Sequence, residues 1–408
     1  MNLNNRSHFR TFLLIGASKF FSVAISIFYT FYIINTYPDH DSSFYWQLLS
    51  FSYITSIIFR FGSEIKSYQI SVTQKQSYVS PEIIFLLLTS ILISFFYYSI
   101  LELIVLTKTS STILFTAKKS VFAAEMFAIS IIISEYVKGK GKFHLSLYLY
   151  STVYQIFMLF FSYIKINLLV AHNISAIANL IFSLIILIPH LQRESFLILP
   201  RKKWMRTISS SFHFIILTAS HQFIAWSGTI FIGFMSTPSN VNTFQVFLRI
   251  SGMYLFVANT TDQIFAKNLV KNQGDITNKV YFFYRYSCIL SIFGTTTITG
   301  LIYTIHSTNM IHIEALNQIR NISLLYLLIF GLLISVTPTF TSYLVINKRE
   351  DIFARNVLIS CFALISIYIT SSLVNSYFFQ AATVGYMTAV LLYRSLNIIS
   401  GIKISKND

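Results

Sequence analysis

Apolar segments of about 18 to 27 residues recur along this chain from end to end, separated by short turns rich in Lys and Arg. About 20 apolar residues in a helix cross a bilayer core of about 30 Å, so each segment is long enough to span. A chain patterned in this way folds as an all-α polytopic membrane protein without a soluble domain. The spacing predicts spans at residues 9–34, 44–61, 82–106, 113–136, 143–165, 172–191, 209–235, 241–264, 280–304, 321–346, 353–372 and 375–400, about twelve in all. Composition agrees, because 54% of the residues are hydrophobic and 11% are charged, against about 25% charged in soluble domains.

The formal net charge of +16 would suggest nucleic acid in a soluble protein, but its placement gives it another meaning. With the N terminus in the cytoplasm and a change of side at each span, about 21 of the 30 Lys and Arg residues fall on one side and about five on the other. The rich side holds Arg60 and Lys66, then Lys138 to Lys142, then the run from Arg193 to Arg206; the poor side holds the acidic turn Pro38-Asp39-His40-Asp41. This positive-inside pattern predicts an even number of spans with both termini cytoplasmic and, for a bacterial chain, a multi-pass protein of the inner membrane. The first span has no small-residue cleavage site and is expected to be retained. Cys288 and Cys361 both fall within spans, where a thiol acts as a small apolar residue, and no metal site or disulfide framework is expected.

Every loop is short, which leaves no room for a catalytic or nucleotide-binding domain. Gly139-Lys140-Gly141-Lys142 lacks the upstream glycine and the following Ser or Thr of a phosphate loop, and reads as a solvated basic turn. HExxH, GxSxG and CxxC patterns are absent from the sequence. Movement of a substrate across the membrane is therefore a stronger expectation than covalent chemistry, with no cofactor implied.

Internal symmetry points the same way. Phe12-Leu13-Leu14-Ile15-Gly16-Ala17-Ser18-Lys19-Phe20-Phe21 matches Phe214 to Phe223 in pattern, Ala-Ser being identical and an ionisable residue following, and Phe44 stands opposite Phe244. Two parallel repeats of six spans follow, residues 1–192 and 209–408, joined by a basic cytoplasmic linker, 193–208. Ionisable residues deep within spans need a reason, since an ionised group at mid-bilayer costs at least about 2.5 to 3.5 kcal/mol. Lys19 lies about nine residues, or about 13 Å, beyond Arg10. Glu125, His221 and Arg249 are also deep. A packing pair such as Lys19 with Glu125, or Asp262 with Lys267 near the cytoplasmic end, is the structural alternative to a functional role.

Trp226-Ser227-Gly228-Thr229-Ile230-Phe231-Ile232-Gly233-Phe234-Met235-Ser236, followed by Val241, Phe244, Phe247 and Leu248-Arg249-Ile250, resembles the seventh and eighth spans of Wzx-type O-antigen flippases of the MATE-like superfamily. Phe59-Arg60-Phe61-Gly62, with Lys66 downstream, resembles that family's Asp-x-Gly turn after span two. Arg60 replaces the usual acid there, and Asn242 replaces a usual glycine in the eighth span. The resemblance implies two six-helix bundles around a cationic cavity and export of undecaprenyl-pyrophosphate-linked oligosaccharide repeat units by alternating access. It makes Lys19, Arg249, His221, Trp226 and Arg60 the substrate-binding candidates, with the two deep cations on pyrophosphate, Trp226 on sugar faces and His221 as a proton-sensitive group. Glu125 and Asp262 are the ion-coupling candidates. Membrane lipid and other polysaccharide assembly proteins are the expected partners, and nucleic acid is not. The alternatives are a MATE-type drug or cation antiporter, which favours an acidic cavity, and a membrane-embedded polysaccharide polymerase, which favours a large outer loop.

The charge pattern makes a direct prediction of topology. Reporter fusions at Lys202 and at the C terminus are expected to read cytoplasmic and a fusion at His40 periplasmic; a periplasmic reading at Lys202 contradicts the assignment.

Overall fold

A computed structural model describes residues 3–73, 78–107, 112–196, 200–212, 214–271, 322–337, 349–374 and 377–407, with isolated positions 285, 288–289, 292–293, 295–297, 299–300 and 344. The described residues form an all-helical structure. The helices are α1 Leu3–Thr36, α2 Asp39–Arg60, α3 Ser63–Thr73, α4 Pro81–Thr107, α5 Thr112–Gly139, α6 Phe143–Leu147, α7 Val153–Tyr163, α8 Leu168–Leu187, α9 Arg201–Phe212, α10 Ile215–Met235, α11 Pro238–Lys271, α12 Ile322–Val336, α13 Glu350–Val374 and α14 Phe378–Asn407. A π-helical turn, Tyr148–Thr152, joins α6 to α7. The expected ninth span, 280–304, lies largely outside the described residues.

Six helical stretches are long and apolar enough to cross a membrane among the described residues: Ala17–Thr36, Pro81–Ile104, Ile113–Gly139, Leu145–Tyr163, Leu168–His190 and Asp351–Val374. The chain is a multi-pass membrane protein. Exposure separates lipid-facing helices from interior ones. On α4, Phe95, Phe96 and Leu103 are each about two-thirds exposed, as apolar groups in contact with acyl chains should be. On α5, 83% of the apolar window is buried, and small residues such as Ser120, Ala123, Ala124 and Ala128 let neighbouring helices approach. The α2 helix is too rich in Ser and Thr to score as a span, and those residues lie inside: Ser42, Ser43, Ser50, Ser52, Thr55 and Ser56 are all buried.

Helix ends follow local chemistry. Asn167 caps α8 by accepting from the Leu169 amide at 3.0 Å. The Gly139 to Lys142 run, expected as a basic turn, closes α5: Gly141 takes φ +83°, and the Lys142 amide donates to the Val137 carbonyl at 3.2 Å. The expected span 209–235 is instead broken between α9 and α10. There Thr207 and Ser211 hydroxyls donate to carbonyls four residues back, a pattern that bends helices. The expected span 321–346 leaves helical geometry after Val336, because Pro338 excludes the α-region for the residue before it.

The chain divides into two compact units. The first comprises residues 1–33 and 41–226. Its core gathers Phe61, Ile83, Leu86, Ile132, Ile133 and Leu149, with Ile208 and Ile215 packed on it. The second comprises residues 34–40 and 227–408. Its interior is aromatic, with Phe247 against Phe330 and Tyr386, and is laced by Thr295 to Ser335 at 2.7 Å and Asn356 to Asn397 at 2.9 Å. Asn242, which stands where a glycine was expected, has a defined task in this unit: it is fully buried and donates to the Asp39 carboxylate at 2.7 Å.

The turn between α2 and α3 depends on Gly62. It takes φ +82°, and a Cβ there would run into the Ser211 backbone carbonyl at the end of α9. Gly62→Ala is expected to cost at least about 2 kcal/mol, from left-handed strain plus displaced backbone. Gly252→Ala, where a Cβ meets nothing within 4 Å, is expected to be neutral or slightly stabilising. Thermal unfolding in detergent micelles checks both, and equal midpoints for the two variants would contradict this account of the turn.

Candidate functional site

In the first unit, α1 carries Ser18, Ser22 and Ser26 at four-residue spacing, which sets them along one stripe. Each meets the segment running from the π turn into α7. Tyr148 donates to Ser18 at 3.3 Å, Thr152 to Ser22 at 2.8 Å, and the Gln155 amide to Ser26 at 3.3 Å. The π turn provides the register, with the Val153 amide bonded to the Tyr148 carbonyl. Such single π turns recur at functional sites because the widened turn re-aims side chains that a plain helix would stack. Lys19 adjoins this polar stripe at mid-helix and is half-buried.

Tyr150, on the same π turn, accepts from the Gln222 amide at 3.0 Å, and the Gln222 carbonyl accepts from the Trp226 indole N–H at 3.0 Å. Trp226 lies flat on Tyr53 (centroids 4.7 Å, planes 8° apart), and Tyr53 lies flat on Phe127 (4.8 Å, 8°). Three rings from α10, α2 and α5 thus form one stack. Trp226 is partly buried, held in position by Tyr53 against its ring and by Gln222 at its polar edge. His221, the residue before Gln222, is exposed.

Arg60 is 1% exposed and engages its own turn. Its Nε donates to the Ser56 carbonyl at 3.2 Å and Nη1 to Glu64, itself buried, at 3.3 Å. This ion pair lies within electrostatic reach of Tyr150, at the base of the same cluster. A cation that replaces the acid of the resembled turn therefore comes with a compensating acid one helical turn later.

The remaining candidates lie elsewhere. Glu125 on α5 is 8% exposed, and among the described residues neither carboxyl oxygen has a hydrogen-bond partner at bonding geometry; the neighbouring Ser94 hydroxyl donates to the Ile91 carbonyl at 2.9 Å. The Lys19–Glu125 packing pair is accordingly not formed. Arg249 on α11 is half-buried near Tyr386 in the second unit. Asp262 belongs to α11, but its side chain and that of Lys267 lie outside the described residues. Nearer the helix ends the charges pair locally, Lys118 with Glu102 at 2.6 Å and Lys138 with Glu135 at 2.9 Å. Arg394 is fully buried, with Nε donating to the Thr337 carbonyl at 2.6 Å, so it does not reach for the membrane surface as its position in the sequence suggests.

Sequence reasoning missed a fully buried chain in the first unit. Tyr45 and Tyr154 hydroxyls are 2.8 Å apart, Tyr154 is 2.6 Å from His172 Nδ1, and His172 Nε2 is 3.0 Å from Ser52. Ser52 donates to the Leu48 carbonyl at 2.9 Å. Reading donors back from that bond, His172 carries its proton on Nε2 and accepts from Tyr154, and every member is satisfied with the imidazole neutral. The chain fastens α2, α7 and α8 together. No spacing in the sequence signals it, because its bonded members are separated by up to 120 residues.

Removing the middle of a closed network strands its neighbours. Tyr154→Phe is expected to destabilise the protein by about 1 to 3 kcal/mol, since His172 Nδ1 loses its donor in the core. Tyr45→Phe, which leaves the Tyr154–His172 bond in place, is expected to cost less. Unfolding midpoints in detergent check the order, and the reverse order would contradict the donor assignment.

No protein-family model matches the sequence, nor does any curated protein. Solved structures match over nearly the whole chain. An outward-facing multidrug resistance MATE family transporter of the MOP superfamily aligns with TM-score 0.61 at 11% identity, covering 97% of this chain and 96% of that one. The Vibrio cholerae MATE transporter VcmN, as a D35N mutant, aligns with TM-score 0.58 at 10% identity over 100% and 99%. A MOP superfamily transporter from Pyrococcus furiosus, described as having a binding pocket of reversed polarity that suggests a different function, aligns with TM-score 0.56 at 8% identity over 97% and 96%. At these identities the likeness is one of fold: the chain has the MATE-like fold.

Proposed function

We propose that this chain is a transporter that carries undecaprenyl-pyrophosphate-linked oligosaccharide repeat units from the cytoplasmic to the periplasmic leaflet of a bacterial inner membrane by alternating access. The observation that carries the reading is the braced indole of Trp226. A partly buried indole, fixed by the Tyr53 and Phe127 stack and bonded at its N–H to Gln222, has the combination of apolar plane and polar rim that suits a sugar ring. Lys19, beside the hydroxyl stripe of α1, supplies positive charge at a depth where charge needs a function. In the second unit, taken by itself, the planar fork of Arg249 suits two oxygens of a phosphate group. Arg60 acts in this reading through Glu64 and Tyr150, and His221 as a proton-sensitive neighbour of Gln222. Glu125, and Asp262 with it, are proposed for coupling to an ion gradient.

The fold also hosts multidrug transport, and the buried carboxyl of Glu125 favours a second reading, antiport of an organic cation. An organic cation favours an acidic cavity, and the charge within the spans of this chain is mixed and tilted basic, which weighs against that reading.

Genetics separates the readings. Deletion of the gene is expected to leave complete lipid-linked units on the cytoplasmic leaflet, protected from periplasmic enzymes. Lys19→Ala, Arg249→Ala and Trp226→Ala are each expected to insert normally and abolish surface polysaccharide, while Arg249→Lys and Trp226→Phe restore part of it. Single-unit caps on the surface of the deletion strain would overturn the flippase reading, since another protein must then have moved the lipid. Loss of export of a cationic dye with polysaccharide unchanged would establish the antiporter instead.

A further inference from the structure

The segment 193–212 was expected as a linker running into a span, yet it holds a helix with two distinct faces. Trp204, Thr207, Ile208 and Ser211 follow helical spacing and face inward: Trp204 packs edge-on against Phe85 of α4 at 5.6 Å, Ile208 joins the core of the unit, and Ser211 meets the α2–α3 turn at Gly62. The opposite face presents Arg201, Lys202, Met205 and Arg206, all exposed, Met205 by 54%.

This face has an excess of positive charge. Lys203 is ion-paired with the buried Glu82 at the start of α4, which uses the nearest carboxylate. Lys66 on α3 stands within electrostatic reach of Arg206 and of Glu82, and Glu82 is already engaged by Lys203. Burial, and then the Arg206 charge, hold the Lys66 ammonium below its usual range against the opposing pull of Glu82. Charge crowded in this way is relieved by an anion. An exposed Met beside a half-buried Trp, on a helix that begins where Pro200 leads in from the 3₁₀ turn bearing the exposed Phe196, is the composition of a segment at the boundary of headgroups and acyl chains.

We infer that the outer face of α9, together with Lys66, is a docking surface for the anionic headgroups of the membrane's own phospholipids. The occupant is a bilayer lipid carrying one phosphate charge and two acyl chains: the phosphate lies against Lys66, Arg201 and Arg206, and the chains against Met205 and the edge of Trp204. This surface belongs to the first unit and does not depend on the substrate proposed above. Its role is to hold α9, and through Ser211 and Gly62 the α2–α3 turn, against the bilayer surface.

Quenching of indole fluorescence by brominated lipid tests the inference with the full-length protein. The chain and its Trp204→Phe variant are reconstituted in phosphatidylcholine vesicles containing about 10% of either dibrominated phosphatidylglycerol or dibrominated phosphatidylcholine, and the difference between the two proteins isolates Trp204. Quenching at Trp204 is expected to be about threefold or more stronger with the anionic lipid, and to lose that preference at 0.5 M salt and in Arg201→Glu/Lys202→Glu/Arg206→Glu. Equal quenching by the two brominated lipids, or a preference that survives the triple substitution, would overturn the inference. So would displacement of the brominated phosphatidylglycerol by polyprenyl pyrophosphate added equimolar to protein, because the face would then belong to the substrate. If Trp204→Phe does not fold, native mass spectrometry of the detergent-solubilised wild type and triple variant reads the same difference as retained phosphatidylglycerol. Equal retention overturns the inference.

Discussion

A bilayer interior offers no water to satisfy a polar group, and the structure is organised around that deficit. A chain this rich in Ser and Thr within its spans must find acceptors of its own. Much of the answer is local: Ser22, Thr30, Ser50 and Thr89 each donate to the carbonyl four residues back at 2.8 to 2.9 Å. The rest is between helices, where the α1 stripe meets the π turn and α7, and where Tyr45, Tyr154, His172 and Ser52 close on one another. Because each such bond has few competitors in the membrane, these contacts select one helix register among several that apolar packing alone would tolerate.

The candidate site inherits its geometry from the same contacts. The π turn that lets Tyr148 and Thr152 reach α1 also turns Tyr150 toward Gln222, and Gln222 fixes the polar edge of Trp226. Packing then sets the plane of the indole through Tyr53 and Phe127. Rigid placement of an aromatic face lowers the ordering cost of binding a flexible ligand. The buried Arg60–Glu64 pair stands within electrostatic reach of Tyr150, and the pairing explains how a cation can occupy that turn without leaving an uncompensated charge inside the protein.

Much of the fold was legible in the sequence, because length and hydropathy alone determine where a helix can span. Helices occupy the expected positions of α1, α2, α4, α5, α8, α11, α13 and α14, and the MATE-like fold named by the run from Trp226 to Ile250 is the fold observed. Misreadings arose where polar chemistry overrides hydropathy. Residues 63–73 read as basic turn and 201–208 as linker, because short helices as polar as these fall below a hydropathy threshold. The break near residue 213 was hidden within an apolar run. Among the site residues, Lys19 and Trp226 stood out by type and depth, whereas Tyr53, Phe127, Tyr150 and Gln222 did not. Their roles come from contacts across 72 residues or more, or, for Gln222 and Trp226, from an ordinary one-turn spacing.

Reconstitution addresses the central claim most directly. Purified protein in vesicles loaded with a fluorescent polyprenyl-pyrophosphate-linked oligosaccharide, with a membrane-impermeant reductant outside, reports how much of the lipid crosses between leaflets. Complete loss of fluorescence without ATP, set against about half in protein-free vesicles and in vesicles holding Lys19→Ala or Trp226→Ala, is the result the account predicts. Protection of half the fluorescence in wild-type vesicles under both proton and sodium gradients would contradict it.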